Sequence, residues 1–295
     1  FTQLEGFGSY GFPESHAASF ALIAYASSWV KCHHPDVFCA ALLNSQPMGF
    51  YSVAQIVQDA RNHGVEVRPV CINRSRWDCT MERIGNSDRF AVRLGMRVVR
   101  GLSTNDAARI ILARAEQPFV SADDIWRRSG VSPSSLVKLA EADAFLPSLQ
   151  LERRQALWDI KALRDEPLEL WAAAAEREAK VIAEMQEPEV ALKSMTEGRE
   201  VVEDYSHTGL TLRAHPVSFL RQDLGRKGIV TCAEAMGQRD GKWLWTAGLV
   251  LVRQRPGSAK GVMFLTLEDE SGIVNAVVWP SLFERQRRIL MTASM

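Results

Sequence analysis

The chain has 295 residues, of which 46% are hydrophobic and 24% charged, the composition of an ordinary globular protein with about two domains. Its 35 basic and 35 acidic residues give no net charge, which excludes a protein that binds polyanions over its whole surface and leaves only local patches. The five cysteines form neither an even set nor a Cys-x-x-Cys pair. This pattern is typical of reduced thiols, so we expect a cytoplasmic protein.

The first 80 residues predict helices. Residues 15–46 carry apolar side chains at helical spacing, with Ser15 as a plausible N-cap and Pro35 at the start of a second helix. A further helix is expected over Ser52–Asn62, followed by a strand-like segment at residues 65–70. The longest apolar run, residues 17–30, is interrupted by serines and is too short to span a bilayer.

Residues 89–160 have the form of two consecutive helix-hairpin-helix units. In the first, a short strand at Phe90 precedes a Gly101 turn that opens a helix; the second turns at Gly130 and continues over residues 132–142. The backbone N–H groups of such a turn and the following helix N-terminus can hold a DNA phosphate without reading sequence. The alternative, a solvated helix surface whose cations are offset by nearby aspartates, stays open. The candidate phosphate contacts are Arg100, Gly101, Arg109, Arg127 and Arg128.

Residues 164–200 are rich in Ala and Glu and contain two prolines, which predicts a partly solvated connector with a possible helix over residues 172–184.

The end of the chain predicts three strands, at residues 247–252, 262–267 and 273–279, with a basic, Gly-rich loop between the first two. Cations on a loop beside exposed aromatic rings are typical of an OB-type barrel that binds a single nucleic-acid strand. A plain β-module with the same strand pattern stays open. The candidate contacts are Arg253, Arg255, Lys260, Phe264 and Trp279.

The exact amino-acid sequence of several motifs is more specific than their pattern of residue types. Residues 255–272 (RPGSAKGVMFLTLEDESG) resemble the OB segment of the bacterial C-family, or DnaE-type, DNA polymerase III alpha subunits. Residues 10–25 (YGFPESHAASFALIAY) and 29–35 (WVKCHHP) are similar to a stretch near the end of that family's fingers. Pro13-Glu14, in place of the Asn-Lys of replicative members, and residues 43–51 resemble the error-prone branch called ImuC.

The resemblance implies a multi-domain α+β fold, mostly helical at first and ending in a truncated OB barrel. Its expected domains are distal fingers at 1–80, a tandem helix-hairpin-helix domain at 81–163, a connector at 164–210 and an incomplete OB fold at 211–295. It also implies that Ser15, His16 and Lys31 face the nucleotide and template. Loss of the basic side chain at position 14 suggests a looser grip on the triphosphate.

The implied function is the C-terminal part of an error-prone DNA polymerase that acts in damage-induced mutagenesis and translesion synthesis. In that family a palm Asp-x-Asp pair binds the two Mg²⁺ ions of nucleotidyl transfer. No Asp-x-Asp occurs in this sequence, so we expect no catalytic residue and no metal site here, and a fragment that is inactive alone. The adjacent Asp123 and Asp124 fit a helix start. The implied partners are primer-template duplex, single-stranded template, dNTPs, and ImuA- and ImuB-type proteins.

Two other functions remain open from the sequence. The chain could be a non-catalytic nucleic-acid-binding module, or a scaffold in a repair complex whose barrel binds a protein. A zinc site at Cys32, His33, His34 and Cys39 is disfavoured, because zinc needs four converging ligands and adjacent histidines do not easily chelate one ion.

Overall fold

The computed structural model describes residues 14–48, 51–163 and 192–295. The chain divides into two units, one of Phe1–Met195 and Glu203–Leu212 and one of Thr196–Val202 and Arg213–Met295. Three features predicted from the sequence lie outside the described residues: the YGFP motif through Pro13, part of the motif at 43–51, and the possible helix over 172–184. No helix within the described ranges is long and apolar enough to cross a membrane.

The first unit begins with three helices, α1 (Glu14–His33), α2 (Pro35–Asn44) and α3 (Val53–Asn62). The break at Pro35 is confirmed, and Ser52 caps α3 through a reciprocal capping box with Gln55. The prediction of Ser15 as an N-cap is wrong, because α1 already includes Glu14, an acidic residue of the type that suits a first helical turn.

A small mixed sheet follows, made of β1 (Val67–Arg68), β2 (Thr80–Arg83) and β3 (Phe90–Arg93) in the order β1-β3-β2. β1 runs parallel to β3, and β2 runs antiparallel to it. Glu82 accepts hydrogen bonds from Arg93 Nη2 and Arg68 Nη1, each at 2.8 Å. These guanidinium groups, Arg93 first, lower the pKa of Glu82 to about 2 despite its burial.

Five helices complete most of this unit after a 3₁₀ turn at Met96–Val98: α4 (Thr104–Ala113), α5 (Ala122–Ser129), α6 (Pro133–Glu141), α7 (Leu146–Leu149) and α8 (Arg153–Lys161). Their inward faces form one continuous apolar core with the preceding sheet and helices. Fully buried members include Ile110, Ile125, Leu136, Leu139 and Phe145. This core fixes the positions of both hairpin turns.

The segment expected to be a connector contains a further helix, α9 (Glu197–His207). Within the first unit, Asp204 Oδ1 lies 2.6 Å from Nη2 of Arg153, whose side chain is almost fully buried. This ion pair joins α9 to α8, because the carboxylate compensates a cation that is expensive to bury alone.

The second unit starts with a 3₁₀ turn at Pro216–Leu220, α10 (Arg221–Arg226) and α11 (Cys232–Met236). β4 (Ile229–Val230) and β5 (Trp245–Thr246) form a parallel pair. The three predicted barrel strands are confirmed as β6 (Leu249–Gln254), β7 (Met263–Asp269) and β8 (Gly272–Val278), an antiparallel meander followed by α12 (Pro280–Thr292).

One face of this meander packs on α12. Met263 and Val278 are cross-strand neighbours and form one buried cluster with Phe283 of the helix, against which Leu290 packs. Because side chains alternate along each strand, the neighbouring pair of Phe264 and Val277 lies on the opposite face. The sheet therefore presents one covered and one exposed face, as expected of part of an OB fold.

Candidate nucleic-acid interface

The first hairpin turn is built around Gly101. Its φ of +75° lies in the left-handed region that favours glycine. Two residues later, Ser103 caps α4, its Oγ accepting from Asp106 N at 3.1 Å. The turn therefore delivers the chain directly into a helix N-terminus, as the sequence predicts.

The second hairpin turn repeats this construction at Gly130, whose φ is +58°. Ser132 caps α6, its Oγ accepting from Ser135 N at 3.3 Å, and Pro133 occupies the first helical turn. Both hairpins thus use a left-handed glycine, a serine cap two residues later and a helix of similar length.

The N-termini of α4 and α6 meet. Ser135 Oγ donates to Asp106 Oδ2 at 2.8 Å, and Ser103 Oγ donates to the same oxygen at 2.8 Å. Two helix N-termini, each with a partial positive charge, therefore lie side by side with one carboxylate between them. Asp106 relieves the repulsion between these helix ends and holds the two hairpins in register.

Each hairpin glycine also lies against a cation from the other hairpin. A Cβ added at Gly130 would lie 2.6 Å from Nη2 of Arg109, and Lys138 Nζ donates to the carbonyl oxygen of Gly101 at 2.7 Å. Arg109 follows Gly101 by eight residues, and Lys138 follows Gly130 by the same interval. Each hairpin therefore places a cation, from the equivalent position, beside the glycine of the other hairpin. The sequence prediction missed Lys138, although this equal spacing was a signal that could have found it.

Arg100 and Arg127 lie at the edges of this arrangement. The Arg100 side chain donates from Nη1 to the carbonyl oxygen of Ser206 at 2.9 Å. Arg127 Nε pairs with Asp123 at 2.8 Å, but its side chain is 72% exposed. An exposed pair of this kind is weak and exchanges readily, so Arg127 keeps a cation near the surface.

Arg128 is used inside the protein. Its Nη2 donates to the carbonyl oxygens of Ala113 at 2.7 Å and Gln117 at 2.6 Å, while Nη1 pairs with Asp124 at 3.0 Å. The guanidinium also lies over the ring of Phe119. These contacts fix the loop between α4 and α5, and a phosphate would have to compete with all of them. Together with the Arg127–Asp123 pair, they place both aspartates of the adjacent pair in local helix-surface salt bridges.

The residues predicted to face a nucleotide lie on α1. The side chain of Ser15 lies outside the described part of the structure. His16 is exposed and its ring lies 4.3 Å from that of Phe20. Lys31 Nζ pairs with Asp59 Oδ1 at 2.9 Å, with both side chains about 40% exposed. The structure thus places His16 and Lys31 about four helical turns apart on α1.

Two of the predicted barrel cations are held by α12. Arg253 lies on the covered face and donates from Nε to Leu290 O at 2.8 Å and from Nη2 to Ala293 O. It therefore satisfies carbonyl groups at the helix C-terminus. The Arg255 guanidinium lies 4.2 Å above the centre of the Phe283 ring.

The other three barrel candidates are accessible. Lys260 is exposed at the loop tip with a φ of +47°, and among the described residues its side chain has no hydrogen-bond or ion-pair partner. Phe264 is 42% exposed on the open face of the sheet, and Trp279 is 64% exposed just before α12. Of the predicted barrel contacts, Lys260, Phe264 and Trp279 therefore lie on the accessible surface of this unit, and Arg255 beside Phe283 also keeps its side chain 42% exposed.

Within the described ranges, no group of three or more His, Cys, Asp or Glu side chains is arranged to hold a metal ion. Cys39, one residue of the disfavoured zinc motif, is buried, and this burial raises the pKa of its thiol to about 12.

Two family descriptions match the chain. Residues 64–156 match a helix-hairpin-helix motif, and residues 244–294 match an OB-fold nucleic acid binding domain. Over all 295 residues, the chain is 73% identical to error-prone DNA polymerase 3 of Agrobacterium fabrum and 74% identical to error-prone DNA polymerase 2 of Rhizobium meliloti. It is 48% identical to the error-prone DNA polymerase of Brucella abortus.

The chain is similar over its whole length to part of each of these error-prone DNA polymerases. It spans 27% of the length of each of these curated relatives. The predicted family resemblance, the helix-hairpin-helix region and the OB fold are therefore confirmed.

Proposed function

We propose that this chain is the DNA-gripping, C-terminal part of an error-prone DNA polymerase that extends primers across damaged template. The parent reaction would be template-directed transfer of a deoxynucleotide to a primer 3′-end. The observation that carries the proposal is the paired arrangement of Gly101 with Lys138 and Gly130 with Arg109. The names of the relatives and the two family matches support it.

Each hairpin turn offers a phosphate two kinds of contact. A helix N-terminus, which offers backbone N–H groups to an anion, follows each glycine, and a cation from the other hairpin lies beside the turn. Contacts of this kind hold the sugar-phosphate backbone and carry no sequence information. That suits a polymerase, which must hold any primer-template duplex.

The OB region would hold the single-stranded template ahead of the duplex. Lys260 supplies charge for the backbone, and Phe264 and Trp279 supply flat surfaces on which bases stack. In this proposal residues 1–80 belong to the fingers, 81–163 to duplex binding, 164–210 to a connector and 211–295 to template binding.

The nucleotidyl transfer step itself is assigned to residues outside this chain. In the family that the chain resembles, a palm Asp-x-Asp pair binds the two Mg²⁺ ions, and this sequence contains no Asp-x-Asp. On resemblance alone, we also propose ImuA- and ImuB-type proteins as partners. A pull-down at increasing ionic strength would test that contact, and loss of the partner proteins at low salt would contradict it.

The duplex grip is tested with the variants Arg109→Gln and Lys138→Gln. Binding of a labelled primer-template duplex would be measured by fluorescence anisotropy at several salt concentrations. Each substitution removes one cation from a phosphate site, so we expect weaker binding and a log–log salt slope smaller by about 0.9 for each contact.

Arg83→Gln is the matched control, since Arg83 is an exposed cation of the same unit that pairs with Asp88 away from both hairpins. It should leave the slope unchanged. Equal effects of all three substitutions would show that only overall charge matters and would refute the role of the hairpins. A primer-extension assay of the purified chain with Mg²⁺ and dNTPs should show no incorporation.

A further inference from the structure

Two tryptophans stand out from the surface of the second unit. Trp243 is 95% exposed and Trp245 is 77% exposed, although rings of this size are usually mostly buried. Trp245 lies in β5, and Trp243 lies two residues before it, in the segment that follows the turn at residues 240–241. Leaving both rings in water is costly for this chain alone, which points to a ligand.

The two rings lie on one side of the segment. Leu244 and Thr246, which alternate with them, are half-buried, and Thr246 Oγ1 donates to Val230 O at 3.1 Å. Two residues of chain span at most about 7 Å, which sets the upper limit of the spacing between Trp243 and Trp245 along the backbone. That is close to two steps of about 3.4 Å in a stacked nucleic-acid strand, which leaves room for one base between the rings.

The charges beside the rings identify the class of ligand. Arg239 and Lys242 flank the turn, and both are exposed. Lys242 Nζ donates to Gln238 Oε1 at 2.6 Å, while the carboxylate of Asp240 accepts from the N–H of Gly241. Lysine is depleted in the cores of protein interfaces, whereas cations interleaved with aromatic rings are the usual surface for single-stranded nucleic acid.

We propose that Trp243 and Trp245 form a base-stacking site for single-stranded DNA, with Arg239 and Lys242 contacting its backbone. The inference rests on the proposed function and extends it, because the site lies before the three barrel strands and uses none of the residues assigned above. One base stacks between the two indole rings, and its neighbours follow the cations.

The test compares the double variant Trp243→Ala/Trp245→Ala with the wild-type chain. Binding of an oligothymidylate of about twelve nucleotides would be measured for both by fluorescence anisotropy. Loss of one stacked base should weaken binding roughly 5-fold or more, because stacking contributes about 1–3 kcal/mol per base. The salt slope should stay the same, since no cation is removed. Binding of an abasic strand of equal length should not respond to the substitution.

Three further variants complete the design. Trp243→Phe/Trp245→Phe should keep most of the affinity, which separates stacking from misfolding. Arg239→Gln/Lys242→Gln should lower the salt slope by about 0.7 for each contact. Trp158→Ala, which removes a half-exposed ring from the first unit, should have no effect.

If the wild type binds DNA and the alanine variant binds it with the same affinity, the stacking site is refuted and the proposed function still stands. If the full chain binds neither duplex nor single-stranded DNA, both fail. If the tryptophans instead support self-association, the alanine variant will elute later than the full chain in size-exclusion chromatography, which also overturns the proposal.

Discussion

Removal of the Glu82 carboxylate should destabilise the first unit in a pH-dependent way. In the folded protein this carboxylate pairs with Arg93, whose side chain is 7% exposed, and with Arg68. The pKa of Glu82 falls from the ordinary 4.5 to about 2. A difference of this size corresponds to about 3 kcal/mol in favour of the charged form. The variant Glu82→Gln should therefore lower the free energy of unfolding by about 3 kcal/mol at pH 7.

The sign of the pH dependence follows from the lowered pKa. The stabilisation by Glu82 is complete above the ordinary value of 4.5, declines as the pH falls through 4.5 towards about 2, and is absent below that. Wild type and variant should therefore differ most at neutral pH and converge near pH 2. Urea unfolding followed by circular dichroism at several pH values measures this difference.

Asp88→Asn is the control, because Asp88 is 99% exposed and its pair with Arg83 lies at the surface. It should leave the free energy of unfolding unchanged within error. If Glu82→Gln were as stable as wild type at pH 7, or if the difference persisted unchanged at pH 2, the assigned role of this ion-pair network would be refuted.

Substitutions at three more positions test other parts of the fold. Asp269→Asn should destabilise the second unit by about 3–5 kcal/mol in thermal unfolding, because it leaves Arg221 partly unpaired and weakens the turn after β7; an unchanged melting temperature would contradict this. Ser52→Ala should lower the free energy of unfolding by about 1 kcal/mol through loss of the α3 cap. Ser52→Asp, which can cap the helix in the same way, should keep the stability of the wild type. Gly130→Ala should lower the free energy of unfolding by about 1 kcal/mol, displace Arg109 and weaken duplex binding. Unchanged duplex affinity would show that the position of Arg109 beside Gly130 does not matter for binding.

Much of the fold could be predicted from the sequence because its signals are local. The helix break at Pro35, the cap at Ser52 and the glycine turns at 101 and 130 each depend on a few neighbouring residues. The three strands of the meander followed from β-rich runs between turn residues. Helix α9 was missed, since its partner Arg153 is distant in the chain. Strand β2 was also missed, because its four residues form no β-rich run and it is held as a strand by pairing with β3.

Sequence alone determined the residue types of the candidate interface: glycine turns that open helices, and cations and aromatic rings beside a strand loop. Tertiary structure decided which of them are available. It turned Arg128 and Arg253 inward to backbone carbonyl groups and placed Lys138, which the sequence did not single out, against Gly101. The physical reason is that a long cationic side chain reaches several possible partners, and only the packing of distant elements decides which of those partners is within hydrogen-bonding distance.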